Sequence, residues 1–136
     1  MPFVIDASIT LAWSFRDEQT PYSLAVLARL EEEEAVVPAV WALEVANGVL
    51  VAERRGRVGR EEAAGLTAAI SDLRVTPVDF SAVEAFSRLL ELARRHGLTV
   101  YDAAYLDVAM RQGLPLATED ADLREAALNA GIALLD

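Results

Sequence analysis

Four acidic residues stand where a parallel α/β fold would bring them to one edge. Asp6 ends the apolar run Phe3, Val4, Ile5; Glu44 lies near the start of a long apolar stretch; Asp102 opens an Ala-rich helix; Asp120 follows the pair Leu116, Ala117. The carboxyl ends of parallel strands and the amino ends of the helices that follow share an edge, so all four should face one crevice. Each acid also has a structural role open to it. Asp6 and Asp120 (or Asp122) can cap helices, Glu44 can serve as an acid in a first turn, and Thr99 with Asp102 makes a T-x-x-D capping box. Four caps have no reason to converge, because like charges close together raise one another's pKa and repel. Convergence with no lysine in the chain calls for a cation, and oxygen-only donors select Mg²⁺ or Mn²⁺. Such a site suits phosphodiester hydrolysis by an activated water and needs no side-chain nucleophile. The chain accordingly has no cysteine, one histidine and no G-x-S-x-G elbow.

The segments that must position these acids alternate between strand and helix. Phe3 to Ile5 suits a strand buried on both faces. Ser8 to Phe15 has helical spacing, and Pro21 suits the first turn of a second helix, with Thr20 as its cap and Leu24, Leu27 and Leu30 at i, i+3, i+6. Glu31 to Glu34 reads as a solvated, fraying helix end. Ala35 to Val37 predicts a strand that Pro38 closes, and a helix follows from about Trp41 to Arg55 with Leu43, Ala46, Val49 and Leu50 on one face. Glu44 and Asn47, three apart, project from one side of it. Another Ala-rich helix runs from Glu61 to Leu73, and Val75 to Val78, broken by Pro77, suits a sheet edge. Ser81 to His96 predicts an amphipathic helix with Val83, Phe86, Leu89, Leu90 and Ala93 inward, stopped by Gly97. After the Asp102 helix, ended by Gly113 and Pro115, come a last helix from Leu123 to Ala130 and a final strand from Ile132 to Leu135. The alternation implies a parallel sheet with helices on both faces, in one domain.

With 54% hydrophobic and 25% charged residues the chain belongs among compact proteins rather than disordered ones. Its apolar runs are too short for a bilayer, and Met1 to Ile5 carry no basic segment of a secretory signal, so a cytoplasmic protein with no membrane partner is expected. The absence of cysteine removes disulfides and thiolate zinc sites. All 12 basic residues are arginines against 22 acids, a net charge of −10 that by itself repels nucleic acid. Divalent cations bound by gathered carboxylates would change that balance locally. P-loop and Rossmann nucleotide binding fail for want of G-K-[ST] and G-x-G-x-x-G, and a receiver-type phosphotransfer site looks for a lysine.

V-I-D-A-S at the start, W-A-L-E-V-A-N in the third helix, V-Y-D-A-A-Y in the middle and L-P-L-A-T-E-D-A-D-L near the end resemble PIN-domain proteins, most closely the VapC-type toxin ribonucleases. The order and spacing of these motifs match over nearly the whole chain. The resemblance implies a three-layer α/β/α sandwich around a parallel sheet, Mg²⁺- or Mn²⁺-dependent endoribonuclease activity, a cognate antitoxin and a homodimer. By the family pattern Asp6, Glu44, Asp102 and Asp120 are the metal-binding acids. Ser8, Asn47 and Thr118 match its polar neighbours, which would hydrogen-bond the carboxylates or a bound water. Asp122 is either an auxiliary ligand or a cap. If the partner is an antitoxin, it should carry Arg or Lys into the carboxylates.

Arg54, Arg55, Arg57 and Arg60 form the dense basic cluster, in a turn marked by Gly56 and Gly59; they read as a solvated turn or as a track for the RNA backbone. Asp17, Asp72, Asp79, Asp107 and Asp136 read as surface, Asp107 lying about 140° round its helix from Asp102. His96 suits a helix end. Trp13, Trp41, Tyr101 and Tyr105 read as packing residues, with Tyr101 the one adjoining an acid. Two other functions compete: a different Mg²⁺-dependent phosphoester hydrolase, and a non-catalytic interaction module.

Overall fold

Three apolar residues in a row with no alternation must be covered on both faces. In the computed structural model, which describes residues 1–136, they are fully buried as strand β1 (Phe3–Ile5). Strands β2 (Ala35–Pro38) and β4 (Leu116–Ala117) flank β1, and β3 (Val75–Val78) lies outside β2, all parallel, in the order β3-β2-β1-β4. Val4 is in register with Val36 on one side and Leu116 on the other. From β1 the chain builds outward through β2 and β3, then returns to add β4 on the opposite side. Strand order therefore reverses between β1 and β4, and the crevice beyond their carboxyl ends is the place where open α/β sheets bind ligands. Pro77 is tolerated because β3 is an edge strand.

Seven helices complete a three-layer α/β/α sandwich: α1 (Ala7–Ser14), α2 (Pro21–Arg29), α3 (Val40–Arg54), α4 (Arg60–Ser71), α5 (82–96), α6 (Val100–Gln112) and α7 (Ala121–Asn129). Thr20 and Ser23 cap α2 reciprocally, with Pro21 in its first turn. Gly97 and Gly113 end α5 and α6 in the left-handed conformation, at φ 64° and 65°. One core of 27 buried residues surrounds β1, and a smaller cluster of five joins Phe15 to Val49, Ala52, Val58 and Ala63. No helix is long and apolar enough to cross a membrane.

Several expected faces are turned. On α2, Ser23 and Val26 point inward while Leu24 is exposed; on α3 the buried residues are Trp41, Val45, Val49 and Ala52, which leaves Leu43 at 73% exposure. On α5 the reason is geometric. Ala85–Leu89 form a π-helical segment, whose wider turn rotates the rest of the helix out of α-helical phase. Leu89, Leu92 and Ala93 are thereby buried, Leu90 is only partly so, and Val83 and Phe86 are exposed. The run of acids after α2 is held down in part: Glu33 pairs with Arg29 and with the amino terminus. The expected last strand shrinks to a single bridge, Leu134 to Leu116, in which the Leu116 amide donates to the Ala133 carbonyl and the Leu135 amide to the Leu116 carbonyl, while the Leu135 carbonyl accepts from the Tyr22 hydroxyl.

Asp107 is a second correction. It is buried, not a surface acid, and Arg88 grips it twice, Nε to Oδ1 at 2.8 Å and Nη2 to Oδ2 at 3.2 Å. Arg88 also binds Glu84 across one turn of α5. Its helical angle does point it away from Asp102, but toward α5 rather than solvent. We expect Asp107→Ala to lower stability by about 2 kcal/mol in urea denaturation, since Arg88 is partly exposed and can resolvate, whereas Asp107→Asn should cost less.

Candidate active site

Asp6 is the first residue past β1 and the N-cap of α1, and it is 3% exposed. Its Oδ1 accepts from the Ile9 amide at 2.9 Å, the Ser8 hydroxyl sits 2.8 Å from both carboxylate oxygens, and Thr118 donates to Oδ2 at 2.5 Å. Thr118, just beyond β4, is fully buried, and its oxygen also accepts from the Asp120 amide. The β1–β4 pairing thus becomes a side-chain link between the two strand ends. Asp120 in turn caps α7 through Oδ2 on the Leu123 amide at 2.8 Å.

The other two acids come from the long helices. Glu44 sits a full turn inside α3, whose first turn holds no acid, so the macrodipole does not explain it. Its Oε1 accepts from the Tyr105 hydroxyl at 2.7 Å. Asp102 lies in the first turn of α6, where Thr99 caps the Asp102 amide at 3.1 Å. Only that half of the expected capping box forms, which leaves the Asp102 carboxylate unused by the cap.

Asp6, Ser8, Glu44, Asn47, Asp102, Tyr105 and Asp120 line one cleft of about 320 Å³, closed on the α1–α3 side by Leu11 and Gly48. A Cβ on Gly48 would come within 2.5 Å of the Leu11 side chain, so the close approach of α1 and α3 uses the missing side chain. Thr118 lies beneath Asp6 rather than in the wall. Asp122 is exposed beside the cleft; Asp120 does the capping, and Asp122 acts on Asp102 through its charge.

Burial pushes the Asp6 carboxyl up to about 6 against the pull of its hydrogen bonds from Thr118, Ile9 and Ser8, and Asp102 adds repulsion. Burial also raises Asp102, with Asp120, Glu44 and Asp122 pushing the same way. Four carboxylates in one cleft with no lysine or arginine among the lining residues form an electrostatically unfinished arrangement. No three of them are already drawn together into a ligand cage. The donor set is all oxygen, and a hard divalent cation fits it.

The basic cluster stays apart from this cleft. Arg57 is engaged, with Asp17 at 3.1 Å, Glu18 at 2.8 Å and its guanidinium 4.9 Å over the Phe15 ring, while Arg54, Arg55 and Arg60 are exposed around the α3–α4 turn. Three groups at the site escaped the sequence reading. Tyr105, three residues after Asp102 and so on the same helical face, is a cleft residue as well as a packing one. Thr10 donates to the Asp6 carbonyl at 2.9 Å and accepts from the Trp41 indole at 3.0 Å. Arg124, four residues after Asp120, donates to the Thr118 carbonyl at 2.7 Å and lies over the Tyr22 ring. Only their helical spacing from an acid could have marked the first and last.

The family model for the PIN domain matches residues 3–129. Ribonuclease VapC3 of Pyrobaculum aerophilum is 31% identical over 125 residues, 92% of this chain and 94% of that protein. Among solved structures, the Mycobacterium tuberculosis VapC20 toxin, described as cleaving the sarcin-ricin loop, superimposes with a TM-score of 0.70 at 17% identity, covering 99% of this chain and 98% of that one. VapBC2 from Rickettsia felis, solved on a DNA fragment of its promoter, gives 0.65 at 15% identity, covering 99% and 98%.

The raised Asp6 pKa has a consequence for the metal-free protein. The folded chain holds that proton to higher pH than the unfolded one, so stability falls as pH rises from about 4 to about 6 and stays lower above that. Asp6→Asn cannot ionise; in EDTA at pH 7 it should be more stable than the parent, by up to about 3 kcal/mol, with the gain fading toward pH 4. Thermal melts at the two pH values check this, and a variant less stable at pH 7 would refute it.

Proposed function

The chain belongs to the PIN-domain family, and from that premise we propose that it is a Mg²⁺- or Mn²⁺-dependent endoribonuclease acting as the toxin of a toxin-antitoxin pair. The observation that carries the reading is the convergence of Asp6, Glu44, Asp102 and Asp120 on one cleft at the β1–β4 reversal, with no basic residue lining it. A relative named as a ribonuclease at 31% identity supports the same activity. The 136 residues act as a single domain in this reading, and an RNA substrate and an antitoxin partner both put it in the cytoplasm.

Asp6, Glu44, Asp102 and Asp120 hold the cation in this proposal. When bound, the divalent cation supplies the positive charge that acidifies an attacking water and stabilises the charge building up on the phosphate. The chain's own part is orientation. Ser8 and Thr118 fix both Asp6 oxygens, so that residue cannot turn away from the cleft. The caps of α1 and α7 use one oxygen each of Asp6 and Asp120. Asn47, one turn along from Glu44 and exposed, can hydrogen-bond an incoming water or phosphate. Asp122, outside the wall, stays an auxiliary negative charge.

Arg54, Arg55 and Arg60 are the cations free to follow an RNA backbone; Arg57 is committed to Asp17 and Glu18. An antitoxin segment would neutralise the cleft by placing Arg or Lys among the carboxylates, by charge complementarity. A homodimer belongs to the same proposal.

The test is cleavage of a total RNA pool by antitoxin-free protein with Mg²⁺, Mn²⁺ or EDTA, beside Asp102→Asn. We expect metal-dependent cleavage that falls to background in EDTA and in the variant. Folded protein that cuts no RNA with either metal would replace this reading with the non-catalytic module, and hydrolysis of other phosphoesters alone would replace it with the general hydrolase.

A further inference from the structure

We propose that Tyr105 is a positioning residue for the metal-binding acids: its hydroxyl holds Glu44 turned into the cleft before any cation arrives. This inference rests on the metal-dependent reading above and extends it to a residue that is not itself a ligand.

The geometry is specific. The Tyr105 ring is 1% exposed, so its place is fixed by the core on α6, and its one polar atom reaches the cleft 2.7 Å from Glu44 Oε1. A carboxylate can only accept, so the phenol is the donor. The bond joins residues 61 apart in sequence and ties α6 to α3. Asp102 lies three residues before Tyr105 on the same face of α6, so the tyrosine also sets how the Asp102 helix stands against the Glu44 helix.

Glu44 needs such a hold. Its side chain makes no hydrogen bond other than the one from Tyr105 and no ion pair, and it is only half-buried. Asp102 and Glu44 repel each other across the cleft. A long acidic side chain under repulsion, with open solvent beside it, swings outward unless something neutral holds it in place. Asp6 has Ser8, Thr118 and the Ile9 amide for this purpose, and Asp120 has the Leu123 amide; Glu44 has Tyr105 alone. Hydrogen bonds of this kind to ligating side chains change metal affinity about 10- to 100-fold.

The experiment compares Mn²⁺ binding to metal-free wild type, Tyr105→Phe, Glu44→Ala and the double variant by isothermal titration calorimetry at pH 7, with thermal melts of each. Phenylalanine keeps the buried ring and removes only the hydroxyl. We expect Tyr105→Phe to weaken Mn²⁺ binding about tenfold or more while its melting midpoint moves little, and to recover most of its kcat for RNA cleavage at saturating Mn²⁺. In the Glu44→Ala background the further loss should vanish, because the hydroxyl then has nothing to position. Unchanged Mn²⁺ affinity in Tyr105→Phe, or equal losses with and without Glu44, would overturn the inference and leave the hydroxyl a stability element. Wild type that binds no Mn²⁺ would overturn the metal reading itself, a result distinct from either.

Discussion

The structure turns on a carboxylate that is costly to bury. Asp6 sits at the point where β1 ends, β4 ends beside it and α1 begins, with almost no exposure to water. An ionised group there loses hydration that no counter-charge returns, and its raised pKa is the measure of that loss. What makes the position tenable is hydrogen bonding from three directions: the Ile9 amide, the Ser8 hydroxyl and the Thr118 hydroxyl. Two of these donors lie in the first turn of α1 and the third just beyond β4, so the strand pairing, the helix cap and the placement of the acid are one interaction. Remove any of the three and the other two must hold an anion in a drier place than before.

The sheet order sets where the remaining acids can go. Because β4 returns on the far side of β1, the loop after β4 meets the loop after β1, and Asp120 arrives next to Asp6 through Thr118. Glu44 and Asp102 come from helices that cross the same edge, α3 against α1 and α6 against β1 and β2. The cleft is therefore assembled from four separate stretches of chain held by the central core, and not from a local loop. Arginine is kept out of it: Arg124, the nearest to the β4 end, spends its guanidinium on the Thr118 carbonyl and the Tyr22 ring.

The acids were legible because each sits at a strand end or early in a helix, where local signals are strong. The V-I-D-A-S start, the pair Glu44 and Asn47, and the turn before Asp120 all encode position within a few residues. The parallel sheet and its edge strand followed from the same alternation. What the periodicity could not carry was phase over distance. The π-segment at Ala85–Leu89 has no sequence mark of its own, so Val83 and Phe86 looked inward and lie outside. Asp107 looked like a surface acid because its partner, Arg88, is 19 residues away on another helix. The sequence marks Tyr105 by its ring alone, and only the fold brings its hydroxyl to Glu44.

Capping a helix and facing the cleft are not exclusive roles for one carboxylate. A carboxylate has two oxygens and several lone pairs, so an acid at a helix start can satisfy an orphan amide with one and face a cleft with the other. Asp120 does this on α7, where Leu123 takes Oδ2 and no side chain or amide takes Oδ1. Asp102 gives its cap only the amide that Thr99 accepts from, and the Thr99 side chain is the one hydrogen-bonding group that pulls on its carboxylate. Helix amino ends also tolerate negative charge that would be repelled elsewhere, which lowers the cost of gathering acids at this edge. A parallel α/β sheet collects helix starts along one side by topology, and it thereby offers the one place in the fold where several carboxylates can be assembled with the least opposition from the backbone. Glu44 is the exception, set inside α3 beyond the help of the helix terminus, and it is the acid that has to borrow its orientation from a tyrosine on another helix.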